Sequence, residues 1–315
     1  MKAVIVTDFG AQPTLADLPT PDPGPGELLI RLRAAGLNPF DWKVADGALK
    51  GVVEHAFPFI MGSDGAGVVE RIGRGVTGFR PGDTVYGQFM HLPTGQGSYA
   101  EYALVAEDGK VARIPESLPF AVAAALPTAS VTAYQAIEAA YLDAGRVILI
   151  NGASGGVGQS AIQFAAGRGA RVLATATTDM ADHLRDLGAD EIIDFTTAPT
   201  AEQVRSIHPE GIDAVLDLIS TPGGDINTLA GLLVPGGVLI NTNFAADVDA
   251  LAARQIRGVN LSSSPTRAEL EALAALADAG TLRITIAAEV SLADAPAAVA
   301  HAGSGHARGK TVIVP

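Results

Sequence analysis

Residues 151–158 read Asn-Gly-Ala-Ser-Gly-Gly-Val-Gly and carry the clearest chemical signal in the chain. An apolar run, Val147-Ile-Leu-Ile150, enters this segment, and a helical pattern over 159–168 leaves it. A glycine at 152 permits a tight turn. Gly155 and Gly156 let backbone come close to a pyrophosphate, and Gly158 lets strand and helix pack closely. A helix start of this kind offers unpaired N–H groups and the positive end of a dipole to an anion. The pattern predicts dinucleotide binding, with Ser154, Gly155, Gly156, Val157 and Gly158 around the diphosphate. The competing reading is a plain strand-to-helix turn with spare glycines. The next strand ends in Leu173-Ala-Thr-Ala-Thr-Thr178, and the first carboxylate, Asp179, lies beyond it. An NAD site usually places an acid at that strand end to hold the ribose 2′-hydroxyl. Without one a 2′-phosphate is not repelled, and Thr177 and Thr178, with Thr175 in the same segment, supply hydroxyls. The expected cofactor is therefore NADPH.

These residues need a scaffold, and the chain shows two textures. Residues 1 to about 115 read as short strands at 2–6, 27–34, 65–72, 83–87 and 99–104, broken by glycine and proline clusters such as 19–26 and 81–83. That is the pattern of a β-rich, barrel-like domain. After Pro119, apolar runs at 147–150, 171–174, 191–194, 214–217, 238–241 and 259–262 alternate with helical patterns at 180–187, 201–207, 225–233 and 247–256. Strands that are hydrophobic on both faces and alternate with helices indicate a doubly wound parallel sheet. Helices at 269–279 and 294–302 and strands at 282–287 and 311–314 then suggest a return to the first domain. The expected division is 1–118 with 281–315, and 119–280 between them.

Composition narrows the function further. The chain has 315 residues, 48% hydrophobic and 17% charged, which suits a folded chain of about two domains rather than a disordered one. The longest unbroken apolar run, Phe120-Ala-Val-Ala-Ala-Ala-Leu126, is far short of a membrane span. The expected location is cytoplasmic, with no membrane partner. A net charge of −13 repels phosphate backbones and argues against a nucleic-acid partner. The absence of cysteine removes disulfides, thiol nucleophiles and cysteine-ligated zinc together.

Five motifs then occur in order: Asn38-Pro-Phe-Asp41, Met61-Gly-Ser-Asp-Gly-Ala-Gly-Val68, Pro81-Gly-Asp-Thr-Val-Tyr86, Gly97-Ser-Tyr-Ala-Glu-Tyr102 and the 151–158 turn. Together with Leu187-Gly-Ala-Asp190 and Gly309-Lys310, they resemble the medium-chain dehydrogenase/reductase superfamily, in its quinone oxidoreductase (zeta-crystallin-like) branch. The resemblance implies an α/β protein with a GroES-like catalytic domain built from both chain ends and a Rossmann domain between them, and a homodimer. Alcohol dehydrogenases of that superfamily carry a cysteine in the segment equivalent to 36–41 and a His-Glu pair after a glycine. Here Gly62 is followed by Ser63-Asp64, so no metal site is expected.

Without a metal, the expected reaction is hydride transfer from NADPH to a quinone or an α,β-unsaturated carbonyl. Negative charge then builds on the carbonyl oxygen, which calls for a hydrogen-bond donor. Lys43 is the first candidate, one turn into a helix that Asn38-Pro39 should start, at a position where many relatives carry tyrosine. Asn38 could both cap that helix and face the substrate, and Tyr86, at a strand end, is a further donor. Asp41 reads as a helix-start carboxylate. The resemblance places Thr128 near the nicotinamide carboxamide. Asn241, Thr242, Asn243 and Phe244 follow the fifth parallel strand and so border the cofactor crevice. Phe195 could pack beside the adenine or sit in the core. An enoyl-thioester reductase and a non-enzymatic NADPH-binding protein are the alternatives.

Overall fold

A computed structural model describes residues 1–224, 226–303 and 308–315. The chain opens with strands β1 (Lys2–Val6), β2 (Thr14–Asp17) and β3 (Glu27–Gly36), then helix α1 (Pro39–Ala45). Strands β4 (Phe59–Ile60), β5 (Asp64–Ile72), β6 (Thr84–Gln88), β7 (Tyr102–Ala106) and β8 (Val111–Arg113) follow, then helices α2 (Phe120–Ala125) and α3 (Pro127–Ala140). A strand–helix alternation comes next: β9 (Val147–Asn151), α4 (Gly156–Gly167), β10 (Arg171–Thr175), α5 (Ala181–Asp186), β11 (Glu191–Ile193), α6 (Thr200–Ile207), β12 (Ile212–Asp217), α7 (Ile226–Ala230), β13 (Leu233–Asn241), α8 (Val248–Ala252) and β14 (Arg257–Asn260). The chain closes with α9 (Arg267–Asp278), β15 (Ile286–Ser291), α10 (Ala295–Ala302) and β16 (Lys310–Val314).

Two compact units result: Met1–Val131 with Pro265–Pro315, and Thr132–Ser264. The boundaries expected near 118 and 281 therefore move. The change of texture at Pro119 marks where helices begin, not where the first unit ends. Helix α2 lies directly on β3, so closely that a Cβ at Gly36 would stand 2.2 Å from the Ala124 carbonyl oxygen. Helix α9 is tied to the same unit by Arg267, whose Nε donates to the Val111 carbonyl at 3.1 Å.

In the first unit, β15-β16-β3-β5-β6-β8 form a sheet with β7 paired to β3, and β2-β1-β4 form a smaller one. Val4, Val6, Phe59, Met61, Tyr99 and Ile313 share one core cluster, so residues from both chain ends pack together. The strand expected at 99–104 begins later, at Tyr102, and Tyr99 is instead a fully buried core residue. The strand expected at 282–287 is likewise displaced to Ile286–Ser291.

In the second unit, six parallel strands are ordered β11-β10-β9-β12-β13-β14. Ile148 and Ile150 enter one core cluster and Leu149 the other. That alternation shows a sheet covered on both faces, which is why these strands read as unbroken apolar runs. Of the helix expected at 225–233, Asp225 lies outside the described residues and α7 begins at Ile226. No helix among the described residues is long and apolar enough to cross a membrane.

Candidate functional site

The second unit carries the glycine turn between β9 and α4. Gly152 adopts φ +91°, a left-handed conformation that glycine accepts without strain. At Gly158 a Cβ would stand 2.5 Å from the Ala153 Cα, so only glycine allows the helix to start this close to the strand. Gly155 differs from both. Its φ is −77°, and a Cβ there would meet only the Gly152 carbonyl oxygen, at 3.8 Å. Neither backbone conformation nor packing in this chain requires glycine at 155, and the open space lies at the start of α4. The Gln159 N–H donates to the Gly155 carbonyl at 2.9 Å, which places Gly156, Val157 and Gly158 in the first helical turn, where N–H groups have no intrahelical partner. Unpaired N–H groups beside a position where a Cβ would meet open space suit an anion such as a pyrophosphate.

The turn is held by its neighbours, of which Gln159 and Asp217 were not singled out from the sequence. Buried Gln159 donates through Nε2 to the Ser154 carbonyl at 2.7 Å. The Thr175 hydroxyl accepts from Gly152 N–H at 2.9 Å and is 97% removed from solvent. Thr175 was expected among the cofactor contacts; its hydroxyl instead fixes the turn. Buried Asp217, at the end of β12, accepts from the Asn151 Nδ2 at 2.8 Å and the Asn241 Nδ2 at 3.0 Å. Asn241 Oδ1 in turn accepts from the N–H groups of Asn243 and Ala245, at 2.8 and 2.9 Å. The Asn241 side chain thus shapes the segment over 241–245 from within, Thr242 and Asn243 are half-buried along it, and Phe244 is exposed with φ +60°. Phe195 is 55% exposed and not a core residue.

The end of β10 departs from expectation. The Thr177 hydroxyl donates to Asp179 Oδ1 and the Thr178 hydroxyl to Asp194 Oδ2, each at 2.5 Å. The hydroxyls of Thr178 and Thr196 hold the Asp194 carboxyl below its ordinary range. Asp194 follows β11, the strand paired with β10, so an acid reaches the strand end from across the sheet.

The first unit holds a buried polar cluster around the start of α1. The Asn38 side chain is 2% exposed; its Nδ2 donates to Asp64 Oδ2 at 2.9 Å and its Oδ1 accepts from Lys310 Nζ at 2.5 Å. Asn38 therefore does not present its amide to a substrate. Asp41 does start the helix, accepting the Asn38 N–H at 2.9 Å, and it also accepts from Ser63 N–H, the Ser63 hydroxyl and the Tyr99 hydroxyl, at 2.9, 2.8 and 2.5 Å. Burial pushes its carboxyl up, and these donors together with Lys310 pull it back. Asp64 accepts Thr128 N–H at 2.9 Å and the Thr128 hydroxyl at 2.7 Å, while Gln88 Nε2 donates to the same Thr128 oxygen at 2.8 Å.

Tyr86 is fully buried, and its hydroxyl donates to the Leu270 carbonyl of α9, with burial pushing the phenol above its ordinary range. A hydroxyl spent on a helix carbonyl inside the core is not a donor to substrate, so the expected catalytic role of Tyr86 is set aside. Lys43 is exposed on α1, and partial burial of its stem pulls its ammonium below the ordinary lysine range. No group of three His, Asp or Glu among the described residues could hold a metal ion, and the two buried carboxylates of the first unit, Asp41 and Asp64, share their cluster with a lysine. This donor set does not fit zinc.

Known proteins resemble this chain in sequence and fold. The GroES-like domain of alcohol dehydrogenases matches residues 24–116, and the zinc-binding dehydrogenase family matches 187–313. A chloroplastic quinone oxidoreductase of Triphysaria versicolor is 35% identical over 95% of this chain and 93% of its own. A 2-methylene-furan-3-one reductase of Solanum lycopersicum is 37% identical over 75% of this chain and 64% of its own. The solved quinone oxidoreductase of Coxiella burnetii superposes with a TM-score of 0.88 at 31% identity, covering 100% of this chain and 99% of that one. With a GroES-like unit, a Rossmann sheet and relatives of this similarity over nearly its whole length, the chain belongs to the quinone-oxidoreductase-like branch of the medium-chain dehydrogenase/reductase superfamily.

Proposed function

We propose that the chain transfers a hydride from a reduced nicotinamide dinucleotide to a quinone or an α,β-unsaturated carbonyl, without a metal ion. The observation that carries this reading is the open space that a Cβ would meet at Gly155, beside the first turn of α4, in a chain similar to quinone oxidoreductases. The name of the tomato relative supports the enone half of the substrate class. When bound, the dinucleotide supplies the hydride. The chain's own part is to hold the pyrophosphate on the α4 turn and to offer a donor to the carbonyl oxygen as charge builds there.

NADPH is the cofactor expected from the bare strand end. The geometry favours NADH instead. Carboxylates at Asp179 and Asp194 already occupy the hydroxyls of Thr177 and Thr178, and acids in this position suit ribose hydroxyls and repel a 2′-phosphate. The experiment follows the loss of reduced nucleotide with a quinone and with a simple enone as acceptors. Saturable turnover is expected, with kcat/KM higher for NADH than for NADPH. Saturable nucleotide binding without turnover of any acceptor overturns the reaction; a ratio in favour of NADPH overturns the choice of nucleotide alone.

Lys43 is the donor assigned to the carbonyl oxygen, because it is the exposed cation on the helix that Asn38 starts. Lys43→Ala should lower kcat about 10- to 100-fold, below the roughly 100- to 1,000-fold range for a buried oxyanion donor because Lys43 is exposed. Nucleotide Kd should stay within about twofold, since the pyrophosphate contacts lie on another helix. An unchanged kcat removes Lys43 from the reaction.

A further inference from the structure

Lys310 is the one lysine or arginine among the described residues that is buried, at 5% exposure. It stands at the start of β16, and its Nζ donates to the Leu37 carbonyl at 2.7 Å and to Asn38 Oδ1 at 2.5 Å. The Asn38 amide is thereby oriented: its oxygen faces the ammonium and its Nδ2 faces Asp64 Oδ2. A flipped amide would set oxygen against carboxylate and N–H against ammonium. The positive charge reaches Asp64 through this polarised bridge.

We infer that Lys310 is a positioning residue for the site of the first unit: it keeps Asp64 a carboxylate, and Asp64 then holds the Thr128 hydroxyl proton turned inward and ties the start of α3 to β5. Where the kinetics of the variants are concerned, this rests on the reaction proposed above.

The valences of Asp64 make the point specific. Its oxygens accept three hydrogen bonds, from Asn38 Nδ2, Thr128 N–H and the Thr128 hydroxyl. If Asp64 takes up a proton, neither N–H can accept it, whereas the Thr128 oxygen can. That oxygen already accepts from Gln88 Nε2. Protonation of Asp64 therefore reverses one bond and turns the half-buried Thr128 hydroxyl proton away from both neighbours.

The charged and titratable groups acting on Asp64 come from several elements: Lys310 on β16, Asp41 on α1, Tyr99 ahead of β7 and Lys110 ahead of β8. Burial pushes the Asp64 carboxyl up from its ordinary 3.8 to about 6, against the pull of Lys310 and Thr128. A carboxyl raised on folding contributes stability that is complete below its unfolded value and is lost as pH rises through the folded value. Removing Lys310 raises Asp64 further and carries that loss to higher pH.

The test compares the full chain with Lys310→Met, Asp64→Asn and the double variant, each followed by melting temperature and by turnover of reduced nucleotide across pH. The unaltered chain should show a step in both readouts near pH 6. In Lys310→Met the step should move upward by about one pH unit or more, as loss of a neighbouring opposite charge requires. Asp64→Asn should abolish the step in either background. A Lys310→Met profile that superimposes on the unaltered chain overturns the inference, as does a step that survives Asp64→Asn. Should Lys310→Met fail to fold, the double variant decides. Folding regained on removing both charges supports the pairing, because the damage then came from an uncompensated carboxylate; a double variant no more stable than the single overturns it. Absence of turnover in every variant counts against the proposed reaction, and the melting profiles still decide the role of Lys310.

Discussion

Gly155→Val should abolish dinucleotide binding and leave the fold intact. The backbone at 155 is extended, with φ −77° and ψ 170°, which a β-branched residue adopts readily. Its Cβ has only the Gly152 carbonyl oxygen within 4 Å, at 3.8 Å, so nothing in the chain has to move. The two methyl groups would instead fill the room in front of the first turn of α4, where a pyrophosphate needs close backbone approach. Calorimetric titration should show Kd raised about 100-fold or more, the scale of losing the diphosphate contacts altogether, while the melting temperature stays within about 2 °C, as for a substitution that meets open space. Gly158→Ala is the matched control. There a Cβ would stand 2.5 Å from backbone atoms of Ala153 and Gly152, which cannot give as a side chain can. It should cost about 2–4 kcal/mol of stability, as overpacking against rigid neighbours does. Ordinary nucleotide affinity in Gly155→Val would place the diphosphate elsewhere and remove the footing of the proposed reaction.

Asp41→Ala should be among the most destabilising single substitutions in the chain. The carboxylate is fully buried and satisfies Asn38 N–H, Ser63 N–H, the Ser63 hydroxyl and the Tyr99 hydroxyl. Alanine takes the carboxylate acceptor from all four donors in a buried interior, leaving the Ser63 hydroxyl only a weak contact to Met90 Sδ, and leaves Lys310 facing one carboxylate instead of two. A loss of about 3–5 kcal/mol is expected, the range for breaking a buried charged network by removing one partner. Denaturant unfolding measures it directly. A loss below about 1 kcal/mol would mean that water reaches the cluster and satisfies the orphaned groups. Ser63→Ala removes one donor and keeps the acceptor, so it should cost far less, about 1 kcal/mol.

How far the sequence could be read followed the range of the interactions involved. The turn at 151–158 is local: strand, glycines and helix lie within about twenty positions, and Gly152 and Gly158 do what their spacing implied, one in the tight turn and one at the helix–strand contact. The two-faced strands of the Rossmann sheet were equally plain, because Ile148, Leu149 and Ile150 all had to be apolar to line two cores. Tyr86 was harder. A strand period of two says that neighbours point to opposite faces, not which face meets α9, and so a core tyrosine passed for a donor. Thr178 was hard to place for a related reason. Its partner Asp194 is near only because β10 and β11 pair side by side, with Thr175 opposite Ile193. Asp64 and Lys310 were quoted as motif residues, yet their coupling through Asn38 joins positions 272 apart, and no short-range pattern encodes such a meeting. The domain boundaries shifted for the same cause: α2 and α9 read as ordinary helices and declared their unit only through what they cover.

The split first unit has a bearing on biosynthesis. Residues 132–264 are contiguous and can begin to organise while translation continues, whereas Asp41 and Asp64 precede that unit and wait for a cation encoded after it. A ribosome that stops a few codons short of Lys310 would release a polypeptide whose Asp41 and Asp64 never meet their counterion, however well residues 132–264 have matured.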